Sequence, residues 1–581
     1  MKKKEIFRFI YDQLSAYKFR VLIILISVLF ITGIGVITPL FGQKLFDDGI
    51  LKGDLERIFY YIAIIAGLFL TEQIIQFLQF TQYELINRSI PYRLLEKVFR
   101  HSLDLRISYY RDNSFYKVIN NTFADINYIS QAANADLIQT IVSVFKIAGG
   151  MIGLAVINWR MMLVTVCIIP LSLLVSHLFA VRKRGHFQQL MGAGEKFSMW
   201  VSETLSGVEF VKLWNLKKQK YREFERYQQD VLRQNRSMEY LDHANRMIDS
   251  GIQFLLNYGL ILIGALFIMK GSLTVGGLYA FLSYSGLIIQ PAQMIAEIEG
   301  RLSGSMPAFE RYFAYFQNKT EDLETKNKRK VSDIMPLERI TFENVDFGYT
   351  KEKQILKQVS FTVHKGEKIA FVGLNGSGKS SILSLLLRLY EPEQGRILFG
   401  DTDIAQIGME DYRSLFGVMT QQTYLMNDTI KNNIDIYGEM SAEQIGKAVD
   451  VVMLNEYLSS LPDGLSTNVG YNGSKLSGGE RQKIALARTL GKTCRILVLD
   501  EATSHFDLKV EQAFQEYIRD TGQYDFIFVV THRLEMLQEM DRIFIMEEGK
   551  VAVSGSYQEL SDQGIDIKSF LLREEKTAWE S

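Results

Sequence analysis

The chain has 581 residues, too long for one ordinary domain, and its 65 Lys and Arg nearly cancel its 66 Asp and Glu, leaving a net charge of −1. That balance gives no basic surface excess and so argues against nucleic acid as a partner. The two cysteines, Cys167 and Cys494, are far apart and lack metal-ligand spacing, which excludes a disulfide framework and points to packed thiols.

Taken in order, the chain begins with Lys2-Lys3-Lys4 and an amphipathic stretch in which Ile6, Phe9, Ile10, Leu14 and Tyr17 recur at near-helical spacing. With no small-residue cleavage site close behind, residues 1–18 read as an elbow helix on the inner membrane surface, not as a signal peptide. Six apolar stretches follow at 19–41, 58–80, 137–157, 161–181, 252–269 and 275–295. Each is near the ~20 residues needed to cross a bilayer. Short links join them pairwise, whereas two long segments carry Arg88, Arg93, Lys97, Arg100, Arg106 and Arg111, and Arg182, Lys183, Arg184, Lys212, Lys217 and Lys218. The positive bias places both long segments, and the N-terminus, in the cytoplasm. They read as helical extensions of the spans. The first outer loop, with Asp47, Asp48, Asp54 and Glu56, is acidic, which agrees.

Polar residues inside the spans repeat along single helix faces: Glu72, Gln76, Gln79 and Tyr83, then Asp249, Gln253 and Asn257. Ser283, Gln290, Gln293 and Glu297 mark the sixth span, Ser143 and Lys146 the third, and His177 the fourth. A charge at the bilayer centre costs about 2.5–3.5 kcal/mol. Such faces therefore line a polar cavity or bond to neighbouring helices. After a charged linker at 318–336, residues 337–581 alternate β-like runs (Ile340–Val345, Val359–Val363, Lys368–Val372, Arg396–Phe399) with helical ones, an α/β pattern.

Within that α/β part, Gly373-Leu374-Asn375-Gly376-Ser377-Gly378-Lys379-Ser380 has the spacing G-x-x-x-x-G-K-S between a strand-like run and a helix-like run that opens with Ser381. This is the context of a phosphate-binding loop: backbone N–H groups wrap a polyphosphate, Lys379 reaches its β- and γ-phosphates, and Ser380 holds Mg²⁺. The strand Arg495–Leu499 ends in Asp500 and Glu501, which suits Asp500 to the metal shell and Glu501 to polarising a water at the γ-phosphate. His532, after the strand Phe526–Val530, is placed to contact the γ-phosphate. A second anion-binding turn, Ser477-Gly478-Gly479-Glu480, precedes another helix. Two such loops with one nucleotide per domain imply that the second serves the ATP of a partner.

On this ordered set the chain resembles a half-exporter of the ABC transporters: six membrane helices fused to one nucleotide-binding domain. The resemblance spans nearly the whole chain. It implies that Tyr349 stacks on adenine, that Gln421 touches Mg²⁺ and the membrane domain, and that Asp507 crosses the dimer. It further implies that Tyr109 to Asp125 and Glu203 to Phe224 hold the coupling helices. Departures from the usual pattern are Glu480, Gln422, Thr420, His505-Phe506, Tyr116 and Tyr471; none removes a catalytic group. The expected protein is an α-helical membrane bundle followed by an α/β ATPase, with ATP and Mg²⁺ as cofactors. It would be a multi-pass protein of a bacterial cytoplasmic membrane that exports a drug, peptide or lipid by alternating access. The expected assembly is a dimer, homodimer before heterodimer, because this chain supplies every element of a site. An ATP-gated channel or membrane sensor is the alternative. The start so close to the first span disfavours a leader-peptidase exporter.

Overall fold

The computed structural model describes residues 3–113, 115–131, 137–321, 328–350, 352–501, 506 and 508–567. The described chain divides into two compact units, one of residues 1–103 and 112–319 and one of residues 104–111 and 320–581.

The first unit is helical. Its elements are α1 (Lys3–Ser15), α2 (Lys18–Lys44), α3 (Leu55–Asp104), α4 (Ile107–Asp112, whose residues through Arg111 group with the second unit), α5 (Phe115–Gln131), α6 (Leu137–Ser206), α7 (Val208–Leu213), α8 (Lys217–Met269) and α9 (Val275–Phe316). At 1.5 Å per residue, the 50 residues of α3 and the 53 of α8 make rods of about 75–80 Å. That is well over twice a ~30 Å hydrocarbon layer. The two long polar segments are thus largely continuations of the apolar helices, as their composition led us to expect.

Both the third and fourth apolar stretches lie in α6. A straight rod would carry residue 187 some 75 Å from residue 137, yet the Tyr128 ring meets Phe187 at 5.7 Å and its hydroxyl meets Met191 Sδ at 3.3 Å. The chain therefore doubles back within α6.

Among the described residues, four helical segments are long and apolar enough to cross a membrane: Lys18–Ile50, Leu55–Asp104, Thr140–Ile157 and Lys217–Met269. Residues 161–181 are helical, but many of their side chains, His177 among them, lie outside the described residues. Residues 275–295 are helical within α9, where glycines, Gln290 and Pro291 dilute the apolar run.

Small residues set the packing of this unit. A Cβ on Gly153 would stand 2.4 Å from the Tyr284 ring, one on Gly150 2.7 Å from Ile288, and one on Gly149 2.8 Å from Thr32. Helix backbones approach closely where no side chain intervenes. Tyr284, Phe281, Ile288, Leu154, Leu256 and Leu260 form the core at this crossing. On α3 the polar face of Glu72, Gln76, Gln79 and Tyr83 is half-buried, while Phe69, Leu70, Ile74, Phe77 and Leu78 are exposed. Gln76 Nε2 donates to Glu72 Oε1 at 2.9 Å along the same face. The apolar face of α1 is buried too: Phe9 packs edge-on against Phe309, Tyr312 and Phe313 of α9. Asp47 of the acidic loop caps the start of α9, accepting from Thr274 Oγ1 at 2.6 Å and Gly276 N at 2.9 Å.

The second unit holds two sheets. β1 (Arg339–Thr350), β2 (Lys353–His364), β4 (Gln394–Phe399) and β5 (Thr402–Asp403) form an antiparallel sheet in the order β2-β1-β4-β5. The other sheet has the order β10-β9-β3-β8-β7-β6, from β3 (Lys368–Gly373), β6 (Phe416–Met419), β7 (Ile496–Asp500), β8 (Phe526–Val530), β9 (Arg542–Glu547) and β10 (Lys550–Gly555). All its pairs are parallel except β10 with β9. The helices are α10 (Lys379–Leu386), α11 (Met409–Ser414), α12 (Ile430–Ile434), α13 (Ala442–Val451), α14 (Asn455–Ser460), α15 (Gly478–Gly491), α16 (Leu508–Asp520), α17 (Leu534–Gln538) and α18 (Tyr557–Asp562).

Period-two alternation explains why the parallel strands are apolar throughout. Ile369 and Phe371 of β3, with Ile496 and Val498 of β7, join the core that includes the antiparallel sheet. Ala370 and Val372, with Leu497 and Leu499, join the core lined by α13, α15 and α16. Both faces being covered, polar groups emerge only at the strand ends.

Candidate functional site

The carboxyl ends of β3, β7 and β8 emerge together, because Phe371 pairs with Val530 and Val530 with Asp500. Ligands of open parallel sheets bind at this edge. From β3 the chain enters the glycine loop. Gly373 has φ +154°, Gly376 +82° and Gly378 +107°, a region that side chains resist. At Gly373 a Cβ would meet the Met546 carbonyl oxygen at 2.2 Å, and at Gly378 Leu356 at 2.4 Å, so these two glycines are required by space as well as by conformation.

The loop folds over Lys379, the first residue of α10. Lys379 is only 7% exposed, and its Nζ donates to the Gly373 carbonyl and, at 3.4 Å, to that of Leu374. Ser377 is buried beside it, and its Oγ has no hydrogen-bond partner among the described residues. A buried hydroxyl without a partner costs about 1–3 kcal/mol. Together with the glycine cradle and the adjacent ammonium, it fits a phosphate acceptor.

Around this loop the structure gathers the predicted residues in two linked groups. Ser380 Oγ donates to Asp500 Oδ1 at 3.3 Å. Gln421 Nε2 donates to Glu501 Oε2 at 2.7 Å, and His532 Nε2 lies 3.1 Å from Glu501 Oε1. Gln421, expected on the metal, thus lies on the carboxylate next to Asp500. Glu501 has φ +51°, a costly conformation for a side chain with a Cβ. Its backbone N donates to the Val530 carbonyl at 2.9 Å, which holds it there.

The adjacent carboxyls titrate in opposite directions. Burial pushes Asp500 upward, partly opposed by the Ser380 hydrogen bond. The hydrogen bond from His532 holds Glu501 below its ordinary value, with Gln421 adding to it. Environments that separate two neighbouring carboxyls are a mark of sites that divide acid–base work. The donor set of Ser380, Gln421 and Asp500 is all hard oxygen on the acceptor side, which fits Mg²⁺.

Tyr349, at the end of β1, is braced by Phe347 and Tyr390 with ring centroids 4.9 Å and 5.1 Å away, and its hydroxyl lies 3.2 Å from Ser381 Oγ. Sequence reasoning missed one neighbour. Arg111 lies over the Tyr349 ring at 5.4 Å, and its Nη2 donates to the Tyr349 carbonyl at 2.9 Å. Arg106, in the same segment, pairs with Glu391 at 2.8 Å. The only signal in the sequence was the basic bias of that segment, which says nothing about a target.

Ser477 caps α15: its Oγ accepts from Glu480 N at 3.3 Å, and Glu480 Oε2 accepts from Ser477 N at 2.7 Å. Glu480 is the position that departs from the usual glutamine, and it completes a capping box. Among the described residues, the side-chain hydrogen bond of Ser477 stays within this turn. Gly478 and Gly479 open the same helix. The structure does not bring Ser477, Gly478 and Gly479 into hydrogen bonding with the phosphate loop of their own chain among the described residues. Asp507 and His505 lie outside the described residues, as does the Tyr116 side chain. Cys494 is buried and free, with burial raising its thiol to about 11.

Both parts of the chain match known proteins. Residues 21–292 match the model of the ABC transporter transmembrane region, and residues 356–504 match the model described as ABC transporter. The chain is similar to the ABC transporter ATP-binding protein exp8 of Streptococcus pneumoniae, 29% identical over 512 residues that cover 86% of this chain and 85% of the relative. It is also similar to an ATP-dependent lipid A-core flippase of Desulfotalea psychrophila, 28% identical over 96% of this chain and 98% of the relative. A solved bacterial Atm1-family ABC exporter with ATP bound shares the fold, with a TM-score of 0.86 and 23% identity over 96% of this chain and 98% of that one. Two matched regions in one chain, a sheet edge that gathers the candidate ATP-binding groups and helices long and apolar enough to span a bilayer lead to one conclusion: this multi-pass membrane protein belongs to the ABC transporters, as a half-exporter that couples ATP hydrolysis to transport.

Proposed function

We propose that the protein exports an amphipathic, lipid-like cargo by alternating access, as a homodimer that encloses two ATP molecules. The observation that carries this reading is the convergence of Lys379, Ser380, Gln421, Asp500, Glu501 and His532 on one sheet edge, around a buried Ser377 hydroxyl with no described partner. In this reading Lys379 and the N–H groups of Gly373–Ser381, Asn375 included, hold the phosphates, and Tyr349 stacks on the base. Ser380, Gln421 and Asp500 would hold Mg²⁺, which when bound neutralises phosphate charge. Glu501, kept ionised by His532 and Gln421, accepts the proton of the attacking water, and His532 orients that carboxylate. Ser477, Gly478 and Gly479, satisfied within their own helix start, present their outward N–H groups to the partner's ATP, and Asp507 crosses to the same site.

The half-buried polar face of α3, flanked by exposed apolar side chains, supports a cargo with both characters. The similar lipid A-core flippases make lipid-like molecules the first class to test. The lysine- and arginine-rich long segments favour a cytoplasmic site for the ATP-binding unit, in a bacterial cytoplasmic membrane.

The deciding experiment uses purified protein in sealed vesicles. Glu501→Gln should cut ATP hydrolysis by about 10²–10³-fold while leaving ATP binding intact, as loss of a general base does. Wild-type vesicles should move a fluorescent lipid between leaflets only with ATP. Undiminished hydrolysis in the variant removes the assigned base. Hydrolysis without lipid movement, with uptake of a peptide or drug instead, removes the cargo class, and passive ion current without transport favours a channel.

A further inference from the structure

Residues 104–111, at the end of α3, group with the ATP-binding unit. Leu105 forms a β-bridge with Thr320, and the backbone N of Glu321 donates to the Asp104 carbonyl at 2.7 Å. Arg413 of α11 donates to both carboxylate oxygens of Glu321, at 2.8 Å and 3.0 Å, and so fixes this tie to the unit. Two arginines extend from the tied segment. Arg106 Nη1 donates at 2.8 Å to Glu391, the neighbour of Tyr390, and Arg111 lies over the Tyr349 ring. Both therefore reach one aromatic group, formed by Phe347, Tyr349 and Tyr390.

The Tyr349 ring is held in place. Its hydroxyl lies 3.2 Å from Ser381 Oγ, and Phe347 and Tyr390 pack nearly perpendicular to it, at 78° and 83°. Phe347 is buried and Tyr390 half-buried, so they take the protein side of the ring; Arg111 is exposed and comes from the solvent side. At 5.4 Å from the centroid its guanidinium is within cation–π reach, and the hydrogen bond from Nη2 to the Tyr349 carbonyl holds it there. An adenine stacking on this side needs the same space. Layers in van der Waals contact stand about 3.5 Å apart, so a ring, a base and a guanidinium stacked in turn would put the cation about 7 Å from the ring. The observed 5.4 Å leaves no room for a base between them.

We propose that Arg111 is a displaceable plug of the adenine site: the guanidinium and the base compete for the solvent side of Tyr349, and a nucleotide stacks there only by releasing Arg111. This rests on the reading of Tyr349 as the base-stacking residue. Arg111 then weakens nucleotide binding in proportion to the time its guanidinium covers the ring. The penalty falls on the base and not on the phosphates, because the two contacts that place the guanidinium here are with the Tyr349 ring and carbonyl. A stacked base leaves residues 104–111 held by Arg106 and by the tie to Thr320 and Glu321, without the ring contact.

The test titrates full-length protein in lipid nanodiscs with ADP and, separately, with inorganic pyrophosphate, which offers phosphates without a base. Arg111→Ala should tighten ADP binding about two- to fivefold, the range that a surface cation–π contact spans, and leave pyrophosphate binding unchanged. The gain should vanish in a Tyr349→Ala background, where base and guanidinium lose the ring together. Arg111 is exposed, so its truncation leaves the core intact. ADP binding that is unchanged or weakened in Arg111→Ala overturns the plug. Pyrophosphate binding tightened as much as that of ADP also overturns it, since the effect then lies on the phosphates, and so does a gain that persists without the Tyr349 ring. If Tyr349→Ala binds ADP as the wild type does, the base-stacking reading fails and the plug with it. If Tyr349→Ala weakens ADP binding while Arg111→Ala changes nothing, the plug alone fails.

Discussion

The two units bury opposite kinds of surface. In the ATP-binding unit the apolar residues of β3, β7, β8 and β9 are enclosed on both sheet faces, with Phe371, Phe526, Phe528 and Phe544 fully buried. In the helical unit large apolar side chains such as Phe59, Phe69, Ile74, Phe77, Leu255 and Leu262 point outward, whereas Glu72, Gln76 and Gln79 are half-buried. The same side chains are sorted by different solvents. Water drives apolar groups inward in one unit. In the other, lipid removes that drive, and the interior is set by close approach at Gly149, Gly150 and Gly153 and by hydrogen bonds such as that of Tyr284 to the Val36 carbonyl.

Substitutions can break this contrast. The largest effect is expected for Phe371→Ala, which empties a site packed against Phe361 and Phe544 at 5.7 Å and 5.4 Å. It should cost about 3–5 kcal/mol, read as an earlier thermal transition of the ATP-binding unit. Phe69→Asp is next. On a water-facing surface this exposed position would tolerate the change, but on a lipid-facing one the carboxylate costs about 2.5–3.5 kcal/mol, read as loss of membrane-inserted protein. Wild-type insertion of Phe69→Asp would mean that this face of α3 meets water. A smaller effect follows at the proposed base site: Tyr349→Ala should raise KM for ATP by roughly five- to tenfold through lost stacking, while Tyr349→Phe changes it little. Equal effects of the two would move the weight from the ring to the hydroxyl at Ser381.

The smallest effect is a pH dependence. The His532 hydrogen bond lowers Glu501 from its ordinary value of 4.5. A carboxyl depressed by folding contributes stability that is complete above its unfolded value and is lost as pH falls through the folded one. The melting-temperature gap between wild type and His532→Ala should therefore narrow as pH falls through the carboxylate range. A gap that widens as pH falls through that range would place the Glu501 partner elsewhere.

Much of this protein was legible along the chain. Local sequence carries the glycine loop, because G-x-x-x-x-G-K-S needs only a strand before it and a helix after it, and Gly373–Ser380 has both. Apolar length marks most of the long helices, and charge bias marks the segments between them. The sequence assigns Asp500 and Ser380 each to the metal shell, and the structure has the two 3.3 Å apart. It could not say that β8 lies between β3 and β7, since strand order depends on long-range pairing and not on local pattern. The strained turn at Glu501 was likewise out of reach, because it is held by a hydrogen bond to Val530, 29 positions away.

The sequence by itself determined which candidate groups this protein has for ATP and where it can meet a bilayer: spacing, hydropathy and charge are local properties that survive in an unfolded chain. Only the tertiary structure decided which of those groups touch. It set Gln421 on Glu501 instead of beside Ser380, folded the third and fourth stretches back on each other, laid Arg111 over Tyr349 and tied Arg533 to Glu511. Each of those contacts joins residues far apart in sequence, and its energy is felt only after the chain has met the entropy cost of closing the loop between them.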